Sequence, residues 1–501
     1  MTMSDSYSLA DKIIRKTDEL KSGRVNFEKL WQEISELVLP RKADFTVKQE
    51  AGVNRTRKLF ETTAVNAAEI LAAGLHGLMT NPSGKWFSLS VPKYKDVPEV
   101  TDWIVQAEQV IADEIVRPCA GFATNIHEVY LDLAVLGTAG LYVGWSEENE
   151  GLLFQSRFLG ELFLEENAAG QVNQVYRVFK MSLDKIVQTW GRDVLPEKLQ
   201  AVFESENRAE REYEIIHAVI PNALYEKGSV FQKPISSIYI LKEEKTLLFS
   251  GGFEEMPLFV TRWCKACTEV YGRSPAAAVL PDIKMIQEMM KETIIAAQLA
   301  NRPPLLVRDD DQFAPAATVP GGIIRYTGEA PKAFVSGANS GVGLEIMNEI
   351  RARIKTAFYN DQLTSTENVQ MTATEVLQRT EEKMRLLGPV FGRLQTELLG
   401  PMMNRIFGLL IRHGKMVLPE GISFSDVRIE YVSPLSLAQK HLQARAVMQT
   451  LELAEGFLKI QPEAANVFNV PEAIRKIGEM YGVSSTLFNV GVEEKSNDGQ
   501  S

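Results

Sequence analysis

Along the first third of the chain, apolar positions recur at helical spacing. In "NFEKLWQEISELVLP", Phe27, Leu30, Trp31, Ile34, Leu37 and Val38 fall on one face, Asn26 is placed to cap the helix, and Pro40 ends it. The next segment carries Ala64, Ala67, Ala68, Leu71, Leu75 and Leu78. A face of such small and apolar side chains lets a neighbouring helix come close, until Asn81-Pro82 stops the run. A strand is expected around Trp86-Phe87, followed by helices over Pro98 to Val116, where the proline suits a first helical position, and over Asn125 to Leu136.

Between Gly140 and Trp263 the period changes to two. "GLYVGW", "GLLFQSRF", "QVYRVFKM", "YEIIHAVI", "SSIYILK", "KTLLFSGG" and "PLFVTRW" are short β-rich runs separated by Gly, Asn, Glu and Pro clusters, with one helix around Leu183 to Gln188. This pattern predicts an antiparallel region inside an α+β, mainly helical chain, not a βαβ array.

After Pro275 helical spacing returns. Ile283, Ile286, Met290, Ile294 and Ala297 share one face, and Lys284, Gln287, Lys291 and Gln298 another. The helix, roughly 30 Å long, runs into Asn301-Arg302 and breaks at Pro303-Pro304. Proline denies the next turn its amide donor and biases the preceding residue away from helix. The insert that follows is too short for its own core and predicts strands at Leu305–Val307, Ile323–Tyr326 and Ala333–Val335. A second helix then carries Leu344, Met347, Ile350, Ile354 and Phe358 on its apolar face. Two helices of matching length with a small β module between them predict a protruding finger. Beyond it lie a polar loop from Asn360 to Met371 and a helix started by a Thr372/Glu375 capping box. That helix is kinked or divided at Gly388-Pro389 and Gly400-Pro401 and closes at Gly414. "VRIEYVSPL" predicts a sheet return, and helices over Ser436 to Glu455 and Pro471 to Tyr481 precede a polar tail.

Composition narrows the function classes. The chain of 501 residues holds 54 Lys+Arg against 65 Asp+Glu, which argues against affinity resting on a large phosphate-neutralising surface. Three cysteines give no disulfide framework and suggest a reducing compartment. Cys264 and Cys267 form a lone C-x-x-C without a second pair for a closed zinc site. The N-terminus carries no secretory signal and no uncharged apolar run reaches membrane-spanning length.

The chemistry-bearing candidates are weak. Gly337, Gly341 and Gly343 in "VSGANSGVG" resemble the phosphate turn of short-chain dehydrogenases, which makes a nicotinamide-dependent enzyme one alternative reading, with a cellular helical scaffold protein as the other. No downstream tyrosine has a lysine four residues on, and helices instead of a parallel sheet follow, so a glycine hinge is favoured. Neither a Gly-x-x-x-x-Gly-Lys turn nor a Gly-x-Ser-x-Gly elbow occurs, and His76, His127, His217, His413 and His441 lack metal-ligand spacing. No catalytic, cofactor or metal residue is therefore assigned. In "RARIK", Arg351, Arg353 and Lys355 are explained by intrahelical pairing of Glu349 with Arg353 about as well as by contact with DNA.

Seven segments in one order carry a resemblance. They are the Trp31 to Pro40 helix end, "AAEILAAGLHGLMTNPSGKWFSL", "LAVLGTAGLYV", "RW" with "YGRSP" at Tyr271 to Pro275, "NRPPLLV", "QMTATEVLQR" and "YVSPLSLAQK". Over most of its length the chain resembles the head-to-tail connecting, or portal, proteins of short-tailed bacteriophages. The resemblance implies a homo-oligomeric ring, a dodecamer, at one capsid vertex, through which double-stranded DNA is packaged and ejected. It implies a wing over residues 1–275, a first stem helix over 276–300, a clip over 301–339 and a second stem helix over 340–359. A channel loop over 360–371, a wing return over 372–434 and a crown over 435–501 complete the portal fold. Lys284, Lys291, Arg351 and Lys355 become candidates for the channel side of the stem. Gln362, Thr364, Ser365, Thr366, Asn368 and Gln370 become candidates for weak, sequence-independent contact with DNA. Arg302, Pro303, Pro304, Arg308, Asp309, Asp310 and Asp311 become candidates for partner docking at the clip. The implied partners are the packaging ATPase (large terminase subunit), tail adaptor or nozzle proteins, and the major capsid and scaffolding proteins, with no membrane. The implied place is the virion, after assembly in the host cytoplasm. An acidic balance suits a conduit, since many fixed phosphate contacts would hold a sliding polyanion in register.

Overall fold

The computed structural model describes residues 3–81, 84–94, 97–204, 211–223, 232–308, 319–326, 329, 340–363, 386–432, 443–453 and 469–480. The α+β, mainly helical expectation holds. Helices α1 (Met3–Gly23), α2 (Val25–Val38), α3 (Thr63–Met79), α4 (Pro98–Val116) and α5 (Phe122–Leu136) open the chain. Asn26 does not cap α2. The helix begins two residues earlier, at Val25 behind Arg24, whose guanidinium is drawn away to the carbonyls of Leu159 (3.2 Å), Gly160 (2.6 Å) and Leu162 (2.5 Å) and to Glu28 (2.9 Å).

The period-two region forms two antiparallel sheets. One runs β3 (Gly151–Arg157), β2 (Thr138–Ser146), β9 (Leu258–Arg262); the other runs β4 (Leu162–Glu166), β5 (Val172–Ser182), β6 (Glu212–Pro221), β7 (Ile235–Leu241), β8 (Thr246–Phe253). Alternation on β6 decides what covers each face of the larger sheet. Ile216 and Ala218 meet Ala10, Ile13 and Ile14 of α1. Tyr213 and Ile215 meet Leu183 and Ile186 of α6 (Leu183–Trp190) and Leu199 of α7 (Glu197–Glu204). The N-terminal helix is thus the lid of a sheet some 200 residues away in sequence.

The central core joins α2, α3, α5, the smaller sheet and the helices that come back after residue 386. Its hub is the end of α5. Gly137 there has φ +79°, and a Cβ on it would lie 2.6 Å from the backbone of Arg273 and Ser274. Gly272 N donates to Thr138 Oγ1 at 2.8 Å, Ser274 Oγ donates to Val135 O at 2.7 Å, and Trp31 Nε1 donates to Leu136 O at 3.1 Å. Ser274 Oγ also accepts from Ala277 N and so caps the short α8 (Pro275–Ala278). Three of the segments behind the resemblance therefore meet at one point, where only glycine fits two of the positions.

The returning helix is continuous over residues 386 to 394, passes Gly388-Pro389 without a break, and then forms a π turn over Gln395–Leu399 before Gly400–Arg412. Pro401 has no amide to bond the Glu397 carbonyl, and Gly400 N reaches Gln395 O instead, so the expected kink appears as a widened turn. Glu397 in that turn receives Arg262 N at 2.9 Å and Nη2 at 2.5 Å, while Nη1 binds Glu166. Strand β12 (Arg428–Tyr431) pairs antiparallel with β1 (Phe87–Ser90), closing the sheet return onto the first third. Residues 443 to 453 and Val470–Met480 are helical; the rest of the expected crown and the Thr372/Glu375 box lie outside the described residues.

Candidate functional site: the paired helices, their tip and the loop beyond

Helices α9 (Leu280–Asn301) and α10 (Ser340–Ala357) pack against each other, with Arg353 3.7 Å from Asp282. Their bases are rooted in the core. Ile283 and Ile286 on α9, and Met347, Ile350 and Ile354 on α10, are buried. Gln287 is buried too: its Oε1 accepts from the amides of Phe60 (2.7 Å) and Glu61 (3.0 Å), and its Nε2 donates to Glu61 O at 2.6 Å. A side chain assigned above to a polar face thus satisfies the backbone of the loop before α3. Its partner lies 226 residues away, and no local pattern could announce it.

Past Gln287 the apolar stripe of α9 loses its cover. Ile294 and Ile295 are 38% and 37% exposed, and near the start of α10 Leu344 and Ile346 are 55% and 42% exposed. Helical periodicity placed Ile294 and Leu344 on the apolar faces of their helices, whereas Ile295 and Ile346 lie off those faces; the described part of one chain does not supply what packs on any of the four.

The four basic stem candidates differ in their neighbours. Lys284 Nζ is 2.6 Å from Glu33 of α2, and Lys291 Nζ is 2.8 Å from Glu288 one turn back. Arg351 Nε is 3.3 Å from Glu61 and its Nη1 donates to Asn348 at 3.0 Å. Lys355 is exposed and makes no ion pair among the described residues. Arg353 pairs with Glu349 at 2.8 Å, as the sequence spacing proposed.

At the tip, α9 ends at Asn301; Arg302 leaves the helical region at φ −135°, and Pro303 follows exposed. Arg302 O accepts from Gly321 N at 2.8 Å, and Gly321 turns the chain at φ +72°. Strands β10 (Leu305–Arg308) and β11 (Ile323–Tyr326) pair in parallel, Leu305 opposite Ile323 and Arg308 opposite Tyr326. Asp309, Asp310, Asp311 and the Ala333–Val335 strand lie outside the described residues. So does Gly337, whereas Gly341 and Gly343 sit in the first turn of α10, and the only parallel pairing among the described residues is β10 with β11. That arrangement offers no doubly wound sheet for a dinucleotide.

The base of the polar loop is firmly placed. Tyr359 turns the chain at φ +56°, a region that seldom holds a side chain, and its ring packs 6.1 Å from Trp263. Helix α11 (Asn360–Leu363) follows, with Asn360 buried and Leu363 seated on Gly74 of α3, where a Cβ would come within 2.7 Å of it. The small-residue face of α3 therefore receives this segment. Gln362 N donates to Tyr359 O at 3.0 Å; Thr364, Ser365, Thr366, Asn368 and Gln370 lie outside the described residues.

Elsewhere, a cavity of about 540 Å³ opens between α3, α4 and the start of α5, lined by Trp86, Phe87, Phe122, Ile115 and the Lys85–Glu108 pair. His76 stands at its edge, beside His127, and burial holds its imidazole below the usual range. Cys119, Cys264 and Cys267 are exposed free thiols. Among the described residues no group of His, Cys, Asp and Glu could hold a metal ion, and no helix is long and apolar enough to cross a membrane.

The family model described as bacteriophage head to tail connecting protein matches residues 10–488. The "Probable portal protein" of Bordetella phage BPP-1 is 26% identical over 496 residues, covering 96% of this chain and 88% of that protein. The "Portal protein" of Salmonella phage epsilon15 is 26% identical over 497 residues, covering 95% and 88%. With the match running from the first helix through the core hub to the C-terminal helices, the chain belongs to the bacteriophage head-to-tail connecting protein family.

Proposed function

We propose that this portal-family chain is the subunit of a closed ring, a dodecamer, seated at one capsid vertex of the virion. Double-stranded DNA passes through its channel during packaging and again during ejection. The observation that carries the reading is the exposure of Ile294, Ile295, Leu344 and Ile346 on the outer halves of α9 and α10. Hydrophobic side chains left in water on a two-helix projection gain when neighbouring copies pack there, and a ring supplies a neighbour on each side. The names of both relatives agree with this reading.

In this reading residues 1–275 form the wing, α9 and α10 the stem, residues 301–339 the clip, 360–371 the channel loop, 372–434 the wing return and 435–501 the crown. The clip, from Arg302 through Arg308 to Asp311, docks the packaging ATPase during filling and tail adaptors afterwards; capsid and scaffolding proteins surround the wing. Assembly takes place in the host cytoplasm. The role is structural, with no cofactor and no catalysis by this chain. Gln362 and the polar residues that follow it touch DNA by exchangeable hydrogen bonds, and Lys355, which makes no ion pair among the described residues, adds a weak cationic contact.

Removing residues 364 to 370 is the test of the loop assignment. Particles carrying the shortened chain are expected to package or retain less DNA; normal filling and retention would end that assignment. Charge reversal at Asp309, Asp310 and Asp311 decides the tip: weakened ATPase or adaptor binding assigns docking, and unchanged binding assigns a solvated turn.

A further inference from the structure

The two antiparallel sheets meet along a polar seam. Strand register sets Arg177 of β5 opposite His217 of β6, and His217 opposite Tyr239 of β7. The His217 ring stacks on Tyr239 at 3.9 Å and its Nε2 lies 3.0 Å from Ser237 Oγ. From the smaller sheet, Arg157 at the end of β3 places its guanidinium 5.2 Å from the Tyr142 ring centre. Arg177 is balanced, since its Nε donates to Glu161 at 2.8 Å. Arg157 makes no ion pair among the described residues, although Glu161, the partner of Arg177, is near enough to favour its charge. Its Nη2 donates to the neutral carboxamide of Gln155, and its Nε is buried with no acceptor. Burial, with Arg177 close by, pulls the Arg157 guanidinium down to about 10, and the buried His217 imidazole is held neutral. Two guanidiniums thus face one carboxylate. A cation taken out of water without a counter-ion is costly, and an arginine fork with an empty arm is the usual receptor for a two-oxygen anion.

We infer that Arg157 is the receptor for one oxyanion, a carboxylate or a phosphate, whose oxygens displace the Gln155 carboxamide and bond the guanidinium edge. Two sources share that chemistry: free phosphate, or an acidic side chain of a second copy of this chain. With 65 Asp+Glu against 54 Lys+Arg, each copy presents carboxylates in excess to its neighbour. Only the second source rests on the ring reading above.

The experiment compares the wild-type chain with Gln155→Glu, which supplies the carboxylate internally, and Arg157→Gln. Melting is followed against sodium phosphate and against sodium chloride at equal ionic strength, and native mass is recorded on the same samples. Phosphate stabilises most proteins by exclusion, so the readout is a saturable rise in the wild type that both variants lack. That result assigns free phosphate. If the melting curves of all three respond alike but Gln155→Glu weakens self-association at least tenfold, the anion comes from a second copy. The proposal is overturned if the wild type shows no saturable response beyond that of the variants and Gln155→Glu associates as the wild type does. Should Arg157→Gln not fold, Gln155→Glu alone carries the comparison. Should the wild type form no ring, the phosphate arm still decides, so the two readings fail separately.

Discussion

Individual side chains set the tolerance of this protein to change. Arg262 is a buried charge that is fully partnered: it binds Glu397 and Glu166 and donates to Val270 O (3.2 Å) and Gly170 O (3.0 Å). Burial alone would lower its pKa, yet the two carboxylates hold it above the ordinary value. Replacing Glu397 by alanine leaves that charge half-compensated and is expected to cost about 3–5 kcal/mol, measured by urea unfolding. Gly137→Ala forces a Cβ against backbone at a left-handed φ, with an expected loss of about 3 kcal/mol and a matching drop in melting temperature. His217 gives the protein a pH dependence. Burial, with Arg177 and Arg157 near, lowers its pKa to about 3, so unfolding below pH 6.5 takes up a proton that the folded chain refuses. Stability contributed by this residue is complete above pH 6.5 and falls as pH drops toward 3, by at most about 1.4 kcal/mol per unit. His217→Asn should flatten that slope, as read from unfolding curves between pH 6.5 and 4.5.

At the scale of elements, the finger between Leu280 and Ala357 depends on how its base is held. Gln287→Ala strips the Phe60 and Glu61 amides of their acceptor and should cost about 1–3 kcal/mol, with faster hydrogen exchange at those two amides as the local signature. How much of this was legible in the sequence follows from the range of each interaction. Helix α4 was placed at both ends because Pro98 marks its start and the apolar spacing runs unbroken to Val116. The pairing of α9 with α10 was legible because two apolar stripes of equal length flank a double-proline break. Helix α7 was missed, since "EKLQAVFE" shows barely two turns and buries only Leu199. The pairing of β1 with β12, the buried role of Gln287 and the π turn at Glu397 were not legible. Each depends on a partner hundreds of residues away or on a backbone register that side-chain spacing does not encode. In the basic cluster of α10, sequence spacing named the Glu349–Arg353 pair, whereas the pairings of the stem candidates Lys284 and Arg351 to Glu33 and Glu61 are tertiary and had no local signal.

As a whole molecule, the described residues divide into a tightly rooted body and a helix pair whose outer halves expose apolar side chains. The core hub at Gly137, the Arg262 network and the α1 lid hold the body, while Ile294, Ile295, Leu344 and Ile346 remain half in water. A single chain gains nothing from that exposure; a ring does. Ring assembly is therefore tested by native mass spectrometry of the purified chain beside Ile294→Glu and Leu344→Glu. The expected result is a closed ring with a central hole in stained images, about 670 kDa for twelve copies of a 56.0 kDa chain. Both variants should stay folded, with wild-type melting, but shift to monomers. A wild-type chain that stays monomeric or dimeric at every concentration, or variants that assemble as well as the wild type, would contradict it.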